Sequence, residues 1–152
     1  MNAGVILGFV NVFCGGILAG EEFVIRYGVR APIASLGEHP HIQARQALIR
    51  RLRVLAPAIF AATILSGAAA TILDGFDPGF GFRCAGLLAV LTFIVITLLG
   101  AVPINAAILA WEPAALPKNW RTLVNRWERL DTARCWAALT AFALFLTALA
   151  LR

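Results

Sequence analysis

Long apolar stretches alternate with short polar or basic stretches along the whole chain. Most of the apolar stretches approach or exceed the ~20 residues that a helix needs to cross a bilayer. The composition agrees, because 61% of the residues are hydrophobic and 14% are charged, which is too apolar for a soluble domain of this size. The pattern predicts an all-α fold, a four-helix transmembrane bundle formed by one domain, residues 1–152. The apolar runs are 4–29, 54–73, 84–110 and 135–151.

The polar stretches between the runs differ in charge. Residues 26–53 and 118–134 are rich in arginine, whereas residues 74–83 form a short turn rich in glycine and proline. Basic residues in short loops favour the cytoplasmic side of a membrane. We therefore expect an integral membrane protein of the plasma (inner) membrane, with loops 1 and 3 cytoplasmic and both termini outside. The same topology explains the net charge of +5 without nucleic acid, for which no motif is present.

Both basic stretches contain apolar residues at helical spacing. These are Leu48, Leu52 and Leu55 in the first stretch and Trp120, Leu123, Val124, Trp127 and Leu130 in the third. Such spacing is typical of amphipathic helices. It predicts that helices 2 and 4 are extended on the cytoplasmic side, with the arginines on the outward faces. The tryptophans also suit interfacial anchoring, in which the rings lie at the level of the lipid headgroups.

A polar seam follows one face of the first helix. Its members, spaced three or four apart, are Asn11, Gly15, Leu18, Glu22 and Arg26. Glu22 and Arg26 can pair at i,i+4, although Arg26 near the bilayer edge also suits snorkelling, and Glu21 suits a solvated or interfacial position. Asn105, within Val-Pro-Ile-Asn at 102–105, lies at a similar depth on helix 3. A carboxylate and an amide at that depth need protein or water partners.

Few residues suggest a cofactor. His39 and His41 beside Glu38 are candidate metal ligands, but their spacing is not that of a recognised site, and a polar loop before a helix is the commoner explanation. No cofactor motif is evident, a metal is not excluded, and a haem held by two histidines inside the spans would need a partner's ligands. The three cysteines, Cys14, Cys84 and Cys135, form no CxxC pair and suit small buried apolar positions.

The order of motifs in the second half of the chain resembles the DUF1772 family, which includes anthrone oxygenase-like proteins. The resemblance is carried by Val-Pro-Ile-Asn at 102–105, followed by Trp120, Arg126-Trp127, Asp131 and Arg134 before a final apolar helix. Asp131 stands where that family commonly has asparagine. The resemblance implies four membrane helices and, for members of polyketide pathways, oxygenation of anthrones to anthraquinones without an evident cofactor.

Two kinds of function follow. The first is a membrane oxygenase, a monooxygenase or other oxidoreductase, acting on a flat phenol-like or quinol-like aromatic substrate at the cytoplasmic membrane edge. The second is a non-catalytic membrane subunit or scaffold, and a homo-oligomer or a membrane-complex partner stays open. A cavity lined by Glu22, Asn105 and Arg134 would favour the first, and a filled helix interface the second.

The oxygenase hypothesis assigns roles to eight residues. Glu22 or Asp131 would act as the base, and Asn105, Arg134 or Arg121 would stabilise an oxyanion. The expected catalytic residues are Glu22, Asn105, Arg134 and Asp131, and the expected substrate-binding residues are Trp120, Trp127, Arg121 and Arg26.

Overall fold

A computed structural model describes residues 3–152 of the chain. Met1 and Asn2, the start of the predicted domain, lie outside the described residues. The described residues contain four helices long and apolar enough to cross a membrane, which confirms the predicted all-α four-helix transmembrane bundle. The four are α1 (Ala3–Ala34), α2 (Glu38–Asp74), α3 (Phe80–Ala110) and α4 (Trp120–Ala150).

Helices α2 and α4 extend well beyond their apolar runs. Helix α2 has 37 residues and α4 has 31, so both amphipathic segments are helical, as their spacing predicts. At ~1.5 Å per residue, the part of α2 before Val54 alone is roughly 24 Å long. Asn119 stands at the N-cap of α4, but its side chain makes no capping hydrogen bond.

The helices form a ring in which each packs against its neighbours in the chain, and α4 closes the ring on α1. Consecutive helices run antiparallel, so loops 35–37 and 111–119 lie at one end of the bundle. We call this the basic end, because it carries the basic residues of 26–53 and of 118–134. The opposite end carries loop 75–79 and the C-terminal residue Arg152.

Three of the four helices depart from regular α-helical hydrogen bonding. Helices α1 and α3 each contain a π-helical turn, Ile25–Val29 and Thr97–Ala101. Pro103 follows the second turn and has no N–H to donate, which accounts for an irregularity there. Pro57 lies inside α2 and leaves the carbonyl of Arg53 without its usual helical donor. In α3 the irregularity therefore takes the form of a π-helical turn, which ends two residues before Pro103.

The core at the centre of the bundle depends on small residues. Phe145 of α4 is buried, and a Cβ added at Gly86 of α3 would lie 2.7 Å from its ring. A Cβ at Gly67 of α2 would lie 2.9 Å from the Asn11 amide nitrogen, so α1 and α2 approach closely there. Gly20 of α1, in contrast, has open space around it.

The polar seam of α1 is buried as predicted from Asn11 to Glu22. Asn11 Nδ2 donates to the carbonyl of Thr63 at 2.8 Å and to Ser66 Oγ at 3.3 Å. These bonds give Asn11 the protein partners that a buried amide requires. The seam therefore fixes α1 against α2 near the middle of the bundle.

A cluster of charges closes the opposite end. Arg83 pairs with Asp77 at 2.8 Å and with Asp74 at 3.5 Å, and Arg152 also pairs with Asp74. The hydrogen bond from Arg83 holds the pKa of Asp77 below its ordinary value. Gly75 has φ of +61°, a conformation that favours glycine, so the predicted tight turn between helices 2 and 3 is confirmed.

The three cysteines are free thiols in different surroundings. Cys135 is buried, Cys14 is half-buried and Cys84 is exposed on the surface of α3. The expectation of a buried position was wrong for Cys84, because an apolar membrane helix offers an outward face that suits a thiol as well as its core does.

Candidate functional site

A cavity of about 310 Å³ lies among the four helices in the half of the bundle nearest the basic end. One wall is polar and consists of Glu21 and Glu22 from α1 with Asp131 and Arg134 from α4. The facing walls from α2 and α3 are mainly apolar. They include Leu48, Ile49, Leu52, Phe60, Leu98 and Val102. The cavity therefore suits a ligand that is apolar over most of its surface and polar at one side.

The polar wall is centred on an ion pair between Glu22 and Arg134. Arg134 Nη2 donates to Glu22 Oε1, and the two residues are only 8% and 1% exposed, respectively. The Arg134 guanidinium also lies 5.0 Å from the centre of the Phe93 ring. Glu22 Oε2 is buried and accepts no hydrogen bond among the described residues. One carboxylate oxygen is thus held by a cation, while the other remains free to accept a hydrogen bond.

Asp131 and Glu21 add two more carboxylates to this wall. Asp131 is 2% exposed, and its Oδ2 lies 3.9 Å from Arg30 Nη1, too far for a hydrogen bond. Within residues 3–152, Asp131 Oδ2 and Glu21 Oε2 are buried without a hydrogen-bond partner. Glu21, expected in a solvated or interfacial position, is half-buried and lines the cavity, because the helical turn that buries Glu22 also brings Glu21 there.

Asn105 lines the cavity and is oriented by Trp127. Trp127 Nε1 donates to Asn105 Oδ1 at 2.8 Å, so the asparagine of the Val-Pro-Ile-Asn motif joins α3 to α4. Because Oδ1 is occupied, the two N–H groups of Nδ2 remain for another acceptor. Both residues line the cavity, as do Glu22, Asp131 and Arg134, so the structure brings Glu22, Asn105 and Arg134 to one cavity.

Arg45 is a cavity residue that the sequence pattern did not reveal. It is 3% exposed, its guanidinium lies 4.7 Å from the centre of the Trp127 ring, and it pairs with Glu128 at 3.1 Å. Glu128 also pairs with Arg30 at 2.7 Å, so one carboxylate connects α1, α2 and α4. All arginines of the first loop were expected on outward faces. That was wrong for Arg45, whose spacing from Ile49 places it on the buried stripe.

Three predicted substrate-binding residues lie outside the cavity lining. Trp120 contacts the ring of His41, and Arg121 is exposed and pairs with Glu38 at 2.7 Å. Trp120 shares a helical face with Trp127. However, the seven-residue separation between the two positions spans roughly 10 Å of helix, so Trp120 lies at the end of the bundle rather than beside the cavity. Arg26 donates to Thr132 rather than to Glu22, whose ion-pair partner is Arg134 from α4.

The two histidines do not share surroundings. His39 is exposed at the start of α2, whereas His41 is buried against Trp120 at a ring-centre distance of 5.6 Å. Across the part of the chain that the structure describes, no three His, Cys, Asp or Glu side chains form a group that could hold a metal ion. The carboxylates of the polar wall face arginines instead.

Comparison with known proteins gives one match. The model of the anthrone oxygenase family matches residues 46–144, more than half of the chain. The matched part includes Asn105, Trp127, Asp131 and Arg134, whereas Glu22 precedes it. No functionally curated protein and no solved structure matches the chain. With four helices suited to a bilayer and this match, the chain is an integral membrane protein and belongs to the anthrone oxygenase family.

Proposed function

We propose that this protein is a membrane oxygenase that converts a flat, hydroxylated aromatic substrate to a quinone-like product inside the cavity. The observation that carries the proposal is the pairing of a buried carboxylate and arginine beside an apolar space. A filled helix interface would suit a scaffold, whereas an unfilled space with buried polar groups is the usual form of a binding site. Membership of the anthrone oxygenase family supports the same reaction class.

The chemistry of the walls supports a phenol-like substrate. The cavity volume of about 310 Å³ lies at the small end of the ~300–1,000 Å³ common for ligand sites, which suits a compact ring system. Free oxygens of Glu21, Glu22 and Asp131 are acceptors, so they favour a ligand that brings hydroxyl donors. Leu52, Phe60 and neighbouring apolar side chains would contact the ring faces.

In the proposed reaction Glu22, in its carboxylate form, accepts a proton from the acidic carbon of an anthrone-like substrate. The resulting carbanion transfers electrons to O2, and its carbon forms a bond to one oxygen atom, giving a hydroperoxide after protonation. Loss of water then breaks the O–O bond, removes the second hydrogen of that carbon and leaves a carbonyl. The substrate is oxidised, O2 is reduced, and the second oxygen atom leaves in water.

Arg134 and Asn105 would stabilise the negative charge that forms on the substrate oxygen. Arg134 is a fixed cation on the polar wall, and Asn105 presents its Nδ2 hydrogens because Trp127 occupies its oxygen. Donors that are oriented before the reaction stabilise developing charge without reorganising. Asp131, whose Oδ2 is buried without a partner on the same wall, is the alternative base.

The experiment is oxygenation of 1,8-dihydroxyanthrone by the purified protein in nanodiscs. We expect quinone formation above the protein-free rate, with one atom of ¹⁸O₂ in the new carbonyl. Glu22→Gln keeps the size of the side chain and removes the base, so it should abolish the protein-dependent rate. Glu112→Gln is the matched control, because Glu112 is exposed in loop 111–119. A fully active Glu22→Gln protein would refute the assignment of Glu22, and an inactive folded wild type would refute the proposed reaction for this substrate.

A further inference from the structure

The cleft between α2 and α3 is closed at two levels and open between them. Towards the basic end, Gln46 Nε2 donates to the carbonyls of Ile108 at 2.8 Å and Trp111 at 2.9 Å, which joins the two helices. Towards the middle of the bundle, the rings of Phe60 and Phe93 meet edge to face with centres 6.0 Å apart. Between these contacts, residues of both helices line the cavity and are also exposed, which indicates an opening between α2 and α3.

The residues that frame this opening are both cavity-lining and exposed. From α2 they are Arg53 and Pro57, and from α3 they are Leu98, Val102 and Ala106. Leu98 is 53% and Val102 45% exposed, although both are apolar. Exposed apolar side chains on a membrane helix face lipid. The opening therefore faces the bilayer rather than a second protein element of this chain.

The depth of the opening follows from the register of the two helices. Gln46 lies beside Ile108, and because the helices are antiparallel, Pro57 lies near the level of Leu98. Arg53 marks the boundary between the basic segment of α2 and its apolar run, which begins at Val54. An arginine at that boundary reaches the headgroup level. The opening thus extends from the headgroup level at the basic end into the adjacent part of the hydrocarbon layer.

The backbones of both helices are irregular where the opening lies. Pro57 interrupts the hydrogen-bond ladder of α2, and the π-helical turn Thr97–Ala101 interrupts that of α3. Such interruptions bend helices and redirect their side chains. At the same level the exposed residues Pro57, Leu98 and Val102 also line the cavity.

We infer that the cavity is loaded sideways from the bilayer, through the opening between α2 and α3 that Pro57, Leu98 and Val102 frame. This inference rests on the proposed function and adds the route and class of the substrate: a neutral hydroxylated aromatic dissolved in lipid. The molecule enters with its ring between the apolar side chains, and its hydroxyl groups meet the carboxylates of the polar wall. Water-soluble anionic aromatics gain nothing from such a route, because a charge is costly to move through hydrocarbon.

The test measures rates of binding rather than activity. Trp127 lines the cavity and serves as the fluorescent reporter in a protein whose other tryptophans, Trp111, Trp120 and Trp136, are replaced by phenylalanine. The probe is 1,8-dihydroxyanthraquinone, delivered from preloaded lipid vesicles to the protein in nanodiscs. Quenching of Trp127 reports association, and dilution into empty vesicles reports dissociation.

Two substitutions narrow the opening, and one widens it. Leu98→Phe and Val102→Phe should slow both association and dissociation by roughly tenfold, a larger change than any in Kd, because a narrower route raises the barrier in both directions. Leu98→Ala should accelerate both rates. The matched control is Leu99→Phe, since Leu99 is 77% exposed in the same turn but does not line the cavity.

The outcomes separate this inference from the proposed function. Quenching of the Trp127 reporter protein, with unchanged rates in all opening variants, would overturn the bilayer route and leave the cavity as the binding site. A change in Kd with unchanged association rates would identify Leu98 and Val102 as binding residues instead, and would also overturn the route. Absence of any quenching in the folded reporter protein would overturn the proposed substrate class together with the route.

Discussion

Replacing Arg134 by methionine removes the cation that faces the Glu22 carboxylate and keeps a flexible side chain of nearly the same reach. In the wild type the two groups are buried and hydrogen-bonded, with side-chain exposures of 10% for Arg134 and 1% for Glu22. The variant leaves Glu22 in an apolar site without its counterion. Removing one partner of a buried pair costs roughly 3–5 kcal/mol, because the remaining charge has lost both water and its partner.

A second contribution comes from the ring beneath the guanidinium. Arg134 lies 5.0 Å from the Phe93 ring centre, and a cation over an aromatic face contributes about 0.5–2 kcal/mol. Methionine restores part of this by packing its thioether on the ring. The expected loss of stability for Arg134→Met is therefore ~3–5 kcal/mol, most of it from the unpaired carboxylate.

The assay is a double-mutant cycle on the unfolding free energy of the protein in detergent. Glu22→Gln, Arg134→Met and the combined variant are compared with the wild type under one set of conditions. Since Glu22→Gln removes the charge that Arg134→Met leaves unpaired, the combined variant should be more stable than Arg134→Met alone. The matched control is Arg129→Met, because Arg129 is exposed on α4, outside the cavity.

Additivity would contradict this reasoning. If the two single changes sum to the combined change within about 0.5 kcal/mol, then Glu22 and Arg134 do not interact in the folded protein. If Arg129→Met lowered the unfolding free energy as much as Arg134→Met, the loss of stability would be a general effect of substitutions in helix α4. Either result would remove the ion pair as the organising contact of the polar wall.

The remaining predictions concern topology, metal and pH. Reporter fusions after Asp77 and after Arg129 should report outside and cytoplasm, respectively, and the reverse result would refute the proposed orientation. The double change of His39 and His41 to alanine should leave the metal content per protein unchanged in elemental analysis, and loss of a stoichiometric metal would contradict this. The hydrogen bond from Arg83 lowers the pKa of Asp77 in the folded protein. The Asp77–Arg83 pair therefore stabilises the protein at pH values above the ordinary pKa of aspartate, and this stabilisation is lost as the pH falls through the folded pKa. Asp77→Asn should therefore weaken the acid dependence of unfolding midpoints, and an unchanged acid dependence would refute the role of that pair.

Local patterns predicted the helices and much of one wall of the site. The buried face of α1 follows from polar residues at three- and four-residue spacing, and the long helices α2 and α4 follow from amphipathic spacing. Asn105 was identifiable because an amide in an apolar run needs a partner. Each of these inferences uses residues that are close in the chain, where helical geometry fixes their relative positions.

Contacts between helices were not predictable in the same way. Glu22 has an arginine four residues away, yet its partner is Arg134, which lies 112 positions further along the chain. Arg45 looks like one of several loop arginines until the ring of Trp127 and the carboxylate of Glu128 are placed beside it. Which cation meets which carboxylate depends on the rotation of each helix about its axis, and hydrophobic spacing sets that rotation only coarsely.

The regular helix α4 and the three irregular helices contribute differently to the cavity. Helices α1, α2 and α3 each depart from regular geometry beside the cavity, at Ile25–Val29, at Pro57 and at Thr97–Ala101. Helix α4 is a continuous α-helix over Trp120–Ala150 and carries Trp127, Asp131 and Arg134 on one face. Irregular turns open space between helices, whereas an unbroken helix holds its side chains at fixed spacing. The groups that orient Asn105 and Glu22 thus come from the regular helix, and the space for a substrate comes from the irregular ones.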